Sequence, residues 1–382
     1  MINVYRPFDF GLTSAQEERA AKLHREAIII DMLFQGPLTT LNYPEFLTAK
    51  IENAVAEGLP RAESVNAALA EPSFAAARGE LPEFREAWFA SGITGGNRQV
   101  SVEPHLIARG YGLAQAQFDH LDWMIKALKA EDFRRAKAEG KVAGYVSTQG
   151  GPGETVAFIE ECYNLGLRMI QLTYNSLTRV GAGCTERTDA GISWYGKQCI
   201  EKMNALGIIV DTGHCGRQTT LDACALSTKP VVASHTAVDA ICPHDRCKSD
   251  EEFKAIAESG GVIGVAMVPF FLNPSGKADM NDFLDHVDYL RKLVGVKHVG
   301  IGTDWPLSVP ARIMEENFTV LAASLGFRQE HRIDPMETVR GFDTYLDFPN
   351  IARGLVARDY RDEDITAILG GNFLRVFEEV CG

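Results

Sequence analysis

Eight short runs of apolar, largely β-branched residues recur along the chain, near 27–33, 97–103, 142–148, 168–174, 207–213, 230–234, 261–268 and 298–303. Gly, Pro or polar residues bound each one, and most are separated by amphipathic stretches long enough to be helices. Two of these stretches, 153–166 and 193–206, carry the i, i+3, i+4 spacing of a one-sided helix, with Val156, Ile159, Cys162 and Tyr163 along one stripe of the first. Apolar runs alternating with helices imply crossover connections and hence a parallel sheet, and eight such units imply closure into a (β/α)8 TIM barrel. A doubly wound open sheet is the alternative, but no Gly-x-Gly-x-x-Gly follows the first run.

A length of 382 residues fits one barrel domain spanning 1–382 with insertions. Residues 36–100 read as a helical insertion after the first run, rich in Ala and Glu, and 305–345 as an extended, Pro-punctuated excursion after the eighth. Both leave the C-terminal face of the barrel, where they can wall or cover a site. The tail 362–380 reads as C-terminal docking helices, with acids at its start and an apolar stripe through Ile365, Ile368, Leu374 and Phe377.

The charge balance narrows the partners. A formal net charge of −13, with no compensating basic stretch, argues against nucleic acid or an anionic membrane surface and leaves a small molecule as the expected partner. No apolar run reaches 18 residues, so no span is expected. The first residues lack the pattern of a secretory leader, and the eight cysteines (162, 184, 199, 215, 224, 242, 247, 381) lack Cys-x-x-Cys spacing. The expectation is therefore a cytoplasmic protein with reduced thiols.

Chemistry collects at the ends of the later runs. His214 follows Gly207-Ile-Ile-Val-Asp-Thr-Gly, and His235 follows Pro230-Val-Val-Ala-Ser. A histidine just past a parallel strand points into the barrel mouth, where neighbouring strands bring two imidazoles close enough to share one ion. Either histidine alone is more simply a core or surface residue, but the same register on consecutive runs favours a site. Asp304 closes Val299-Gly-Ile-Gly-Thr, and a carboxylate there can take a proton from an activated water; an N-cap is the plain alternative. Gln149 ends the third run, where its neutral amide oxygen is a weak donor to a metal. Arg246, on the loop after the sixth run, can grip a substrate carboxylate through its planar fork, unless it is a solvated loop residue. Cys215 sits beside His214 but faces away from it, which disfavours a thiol nucleophile.

Taken in order, Gln149-Gly-Gly, Leu172-Thr-Tyr174-Asn175, Asp211-Thr-Gly-His214, Ser234-His235-Thr, Arg246, Gly300-Ile-Gly-Thr-Asp304 and Gly370-Gly-Asn-Phe-Leu-Arg-Val-Phe resemble the membrane dipeptidase family of zinc peptidases. These belong to the amidohydrolase-like, metallo-dependent hydrolase barrels. The resemblance runs from about residue 140 to the C-terminus and is weak before residue 100. It implies a two-zinc site that hydrolyses dipeptides. His214 and His235 match ligands of one zinc, Asp304 the proton-handling acid, and Arg246 the carboxylate-binding arginine. Four other family positions are replaced. The His-x-Asp after the first run falls on Leu33 and Gln35, the metal-bridging glutamate on Gln149, and a further histidine on Tyr174.

The expectation is thus a dipeptidase-like hydrolase of an amide C–N bond in a small carboxylate-bearing substrate. It would hold one divalent metal, zinc, rather than two, on His214, His235 and either Asp304 or Gln149. Asp304 and Tyr174 are its expected catalytic residues, the second donating to a developing oxyanion. Arg246, Tyr174 and Asn175 are its expected substrate-binding residues. The alternatives are a descendant that binds a small molecule without metal and a metal-free lyase or isomerase using Asp304, His214 and Tyr174. A homodimer is expected by resemblance alone.

Overall fold

The computed structural model describes residues 4–102 and 106–382. Among the described residues, nine strands form one all-parallel sheet: β1 (Ile30–Asp31), β2 (Gly95–Gln99), β3 (Met124–Lys126), β4 (Val142–Thr148), β5 (Leu167–Gln171), β6 (Ile209–Asp211), β7 (Val231–Thr236), β8 (Ile263–Val265) and β9 (Val299–Ile301). Eight of them follow the order β1-β2-β4-β5-β6-β7-β8-β9. The circle closes where Met32 N–H donates to Ile301 O and Asp304 N–H donates to Leu33 O, both at 2.9 Å. The expected (β/α)8 TIM barrel is the fold.

Strand β3 lies off that path and was not expected. It pairs with β4 at Val142, Ala143 and Gly144, while β5 takes the same edge of β4 further along, from Val146 to Thr148. Most of the expected runs are longer than the paired strands inside them. The run 27–33 is paired only at 30–31 and the run 261–268 only at 263–265, because the flanking residues turn out toward helices and loops. Position 103, the end of the second run, lies outside the described residues, and Gly95 and Gly96 extend that strand at its other end.

Local sequence explains the helices between strands. Trp194–Leu206 begins at Ser193, whose hydroxyl accepts from Gly196 N–H, and ends at Gly207 with φ of 79°, a left-handed position that glycine occupies without strain. Val156–Asn164 begins in the same way at Thr155. The first insertion contains helices Glu45–Ala56, Ser64–Ala77 and Pro82–Ser91, but it stops short of residue 100, since 95–99 is β2. The segment 305–345, expected to be extended, instead carries the helix Ala311–Ser324. Helices from the two insertions meet: Val65 and Ala68 of one pack with Val309, Ile313 and Met314 of the other over the C-terminal face.

The opposite end of the barrel is plugged. Asn372–Cys381 lays Phe373 and Phe377 against Tyr145 and Phe133, with ring centroids 5.0–5.7 Å apart. These rings join Ile30, Met32, Met169, Ile209 and Val232 in one buried cluster. A hydrophobic floor therefore holds the strands from below and leaves their C-terminal ends free to carry polar groups. The eight cysteines are all unpaired. Among the described residues, no helix is long and apolar enough to cross a membrane.

Candidate active site

The site is built at the tips of β4 to β7 and β9. His214 and His235 are buried, and their Nε2 atoms face each other at 2.8 Å. Behind His214, Nδ1 lies 2.6 Å from Asn175 Oδ1, which also receives Cys184 Sγ–H, while Asn175 Nδ2 donates to Leu325 O. An amide oxygen only accepts, so the His214 proton sits on Nδ1 and its Nε2 presents a lone pair. Behind His235, Nδ1 lies 2.7 Å from Ser234 Oγ, and Ser234 Oγ lies 2.6 Å from Asp211 Oδ2. With the serine donating to the carboxylate, His235 Nδ1–H donates to the serine oxygen, and this Nε2 is also a lone pair. Gln149 Nε2, 3.3 Å from His235 Nε2, is a donor that suits this assignment.

Burial, reinforced by the Arg246 guanidinium, holds both imidazoles well below the usual histidine range, so both are neutral. Two neutral lone pairs at 2.8 Å repel unless a cation or a shared proton lies between them. The donor chemistry therefore fits one divalent ion: two imidazoles with a carboxylate form a known zinc set, and Asp304 Oδ2 lies 3.9 Å from His235 Nε2. Among the described residues no three His, Cys, Asp or Glu side chains are already gathered for a metal, so Asp304 would have to swing in as the third.

The positions that the resemblance assigns to a second ion carry weak metal donors or none. The Leu33 side chain is fully buried and has no donor atom. Gln35 turns its amide toward the acid, Nε2 donating to Asp304 Oδ1 at 2.9 Å. Where a carboxylate ligand would attract a cation, this amide instead places a hydrogen-bond donor on Asp304. Tyr174 stacks on the His214 ring at 4.0 Å between centroids and 22° between planes.

Asp304 stands at a left-handed backbone position with φ of 58°, a conformation that costs a non-glycine residue energy. Its backbone N–H bond to Leu33 O and its side-chain bond to Gln35 hold it there. Burial pushes its carboxyl up to about 6, with Arg246 and Gln35 pulling the other way. Burial likewise raises the Tyr174 hydroxyl, with Asp304 adding to the effect, so it stays protonated and able to donate. Arg246 is 1% exposed and is no solvated loop residue. Nη1 donates to Gly213 O at 2.5 Å and Nη2 to His235 O at 3.4 Å, while buried Nε has no partner. That leaves N–H groups for a ligand beside the two histidines.

A cavity of about 250 Å³ unites these groups: Gln35, Gln149, Tyr174, His214, Arg246 and Asp304 all line it. Asn175 does not, because its amide is spent behind His214. It positions the imidazole instead of meeting the substrate. Sequence reasoning missed three features: the Gln35–Asp304 bond, the support of His235 by Asp211 through Ser234, and the apolar wall that Phe270, Trp305 and Phe318 add to the cavity. The second was detectable, since Asp211 ends one strand and Ser234 lies on the next, two residues beyond its register partner Val232 and hence on the same face.

Comparison with known proteins agrees with this geometry. The sequence profile of the family described as membrane dipeptidase (peptidase family M19) matches residues 17–317. A dipeptidase of Claviceps purpurea (strain 20.1), tcpJ, is 26% identical over 264 residues, 68% of this chain but only 56% of that protein. Among solved structures, an amidohydrolase from Pseudomonas aeruginosa superposes with a TM-score of 0.73 at 25% identity, covering 94% of this chain and 98% of the other. The probable dipeptidase PvdM of the same organism superposes with a TM-score of 0.68 at 20% identity, covering 97% and 99%. The barrel, the order of its site residues and the match over most of the length lead to one conclusion: this chain belongs to the membrane dipeptidase family of hydrolases.

Proposed function

We propose that the protein hydrolyses an amide C–N bond in a small carboxylate-bearing, dipeptide-like substrate, and that it does so with one divalent ion, zinc by donor type, rather than two. The observation that carries this reading is the pair of neutral imidazole lone pairs at 2.8 Å with Asp304 beside them, set against Leu33, Gln35, Gln149 and Tyr174 where a second ion would need ligands. His214, His235 and Asp304 would hold the ion, with Gln149 able to present its oxygen by an amide flip. Bound there, it would supply Lewis acidity and make a neighbouring water more acidic.

The side chains divide the remaining work. Arg246 receives the substrate carboxylate through the N–H groups it does not spend on Gly213 O and His235 O. Tyr174, kept protonated by burial, donates to the oxygen that gains charge as the carbonyl is attacked. With Asp304 on the ion, its second oxygen would still accept the proton of the attacking water and return it to the leaving nitrogen. Asn175, Ser234 and Asp211 fix the ring orientations.

Metal analysis of the purified protein tests the stoichiometry. One equivalent of zinc per chain, lost together with turnover in Asp304→Asn and in His214→Ala, is the expected result; two equivalents, or turnover indifferent to chelation, would refute it. A second reading has its own observation in favour: the 2.8 Å contact between the rings is satisfied with no ion at all if His235 takes the other tautomer, its Nε2–H donating to His214 Nε2 while its Nδ1 accepts from Ser234 Oγ. A metal-free binding protein or lyase of this kind would show no change in melting temperature with zinc or chelator.

A further inference from the structure

The cavity above the site has two unlike halves. At its floor stand the polar groups already described. Apart from the amides of Asn66 and Gln99, its walls are apolar, drawing on Leu69 from the first insertion, Phe270 from the loop after β8, Trp305 beside the acid, and Phe318, Leu321 and Leu325 from the helix Ala311–Ser324 and its end. Several of these are not buried by the fold itself. Leu69 is 39% exposed, and Phe318, Leu321 and Leu325 remain half-exposed at the rim. Scattered exposed leucines mean nothing, but apolar side chains from two separate insertions that converge on one cavity indicate a surface that a ligand covers.

Charge adds a second constraint. Among the described residues lining the cavity there is one acid, Asp304, and one permanent cation, Arg246. Asp304 is already engaged with Gln35 and is the acid that proton transfer requires. A free α-ammonium on the acyl side of the scissile bond would therefore have no carboxylate to receive it and would lose water against an apolar wall, which is costly.

Resting on the hydrolase reading above, we infer that the substrate is an N-acyl amino acid whose acyl group is uncharged and apolar, and not a free dipeptide. The carboxylate lies on Arg246, the amide lies over His214 and Asp304, and the acyl chain runs up the wall formed by Leu69, Phe318 and Leu321. Water adds its oxygen to the acyl carbon, the C–N bond breaks, and the water proton passes through Asp304 to the leaving nitrogen. A fatty carboxylate and a free amino acid result, with no oxidant or further reactant needed.

A series of acetyl-, butyryl-, hexanoyl- and octanoylglycine tests this with the metal-loaded protein. The ratio kcat/KM should rise by about fourfold for each methylene until the chain leaves the cavity. A closer control is the pair 4-methylpentanoylglycine and leucylglycine, which differ only by the ammonium; the uncharged compound should be hydrolysed at least tenfold better. Leu69→Ser and Leu321→Asn, both at the rim, should flatten the chain-length slope. A flat slope in the native protein, or leucylglycine as the better substrate, overturns the inference and leaves the hydrolase reading intact. If no member is cleaved, the hydrolase reading fails, and calorimetric binding of the same series decides the inference alone: affinity that climbs with chain length supports it, and equal affinities overturn it.

Discussion

His24 is a histidine that the site does not use. Its Nε2–H donates to Ser91 O at 3.1 Å, its buried Nδ1 has no partner, and burial lowers its pKa to about 4. A group that binds its proton less readily when folded costs nothing above the unfolded pKa of about 6.5 and destabilises progressively as pH falls from there toward 4, by up to about 3 kcal/mol. Denaturant unfolding at pH 7.5, 6 and 4.5 should therefore show His24→Gln losing less stability on acidification than the native protein; parallel losses would show that the ring is solvated. Gly92 faces the same ring. It sits at φ of 75°, and an added Cβ would lie 2.2 Å from His24 Nε2, so Gly92→Ala should lower stability by more than the ~1 kcal/mol of its backbone strain alone. Individual residues were legible in the sequence where position determines direction: His214, His235 and Asp304 follow strand ends, and a strand end points into the barrel mouth. Gln35 was legible only as a lost ligand. That it donates to Asp304 depends on the β9–β1 seam, which joins residues 269 positions apart.

The loop from β7 to the helix Asp250–Glu258 shows how one element carries Arg246. Its last residue before the helix cap, Lys248, is 2% exposed and spends its three N–H groups on Cys215 O, Thr220 Oγ1 and Glu252 Oε1. Glu252 also accepts from Ser249 N–H and from the Ser249 hydroxyl, closing a capping box. Removing one partner of such a pair leaves the other charge buried and alone. Lys248→Met should thus cost about 3–5 kcal/mol in denaturant unfolding, and the double variant with Glu252→Gln should recover part of it; additive losses would mean that the two charges do not act as a pair. Elements were legible in proportion to their length. Helix Trp194–Leu206 shows its stripe and both its ends, whereas β3 is only Met124-Ile-Lys, too short for any period to register. The helix Ala311–Ser324 was obscured by Pro306 and Pro310, which made the whole segment look extended although the second proline is merely its N-cap.

For the molecule as a whole, alternation of runs and helices revealed the barrel because every barrel unit contributes the same pattern. Closure itself has no signature in any one segment. The plug Asn372–Cys381 packs Phe373 and Phe377 beneath the strands, and Phe377→Ala should cost about 3–5 kcal/mol; a loss under 1 kcal/mol would mean that the floor can close without it. Around the circle, most neighbouring strands share a ladder, but β9 and β1 meet through two backbone bonds and through Thr303, whose N–H and hydroxyl both donate to the buried Asp31. One of those two backbone bonds belongs to Asp304. The thinnest joint in the wall is thus also the mount of the reactive acid, and fraying there would misplace it while the other strands stay paired. In mild urea, turnover should fade at concentrations where far-ultraviolet ellipticity is still native, and amide hydrogens of Met32 and Asp304 should exchange with deuterium sooner than those of β4 and β5.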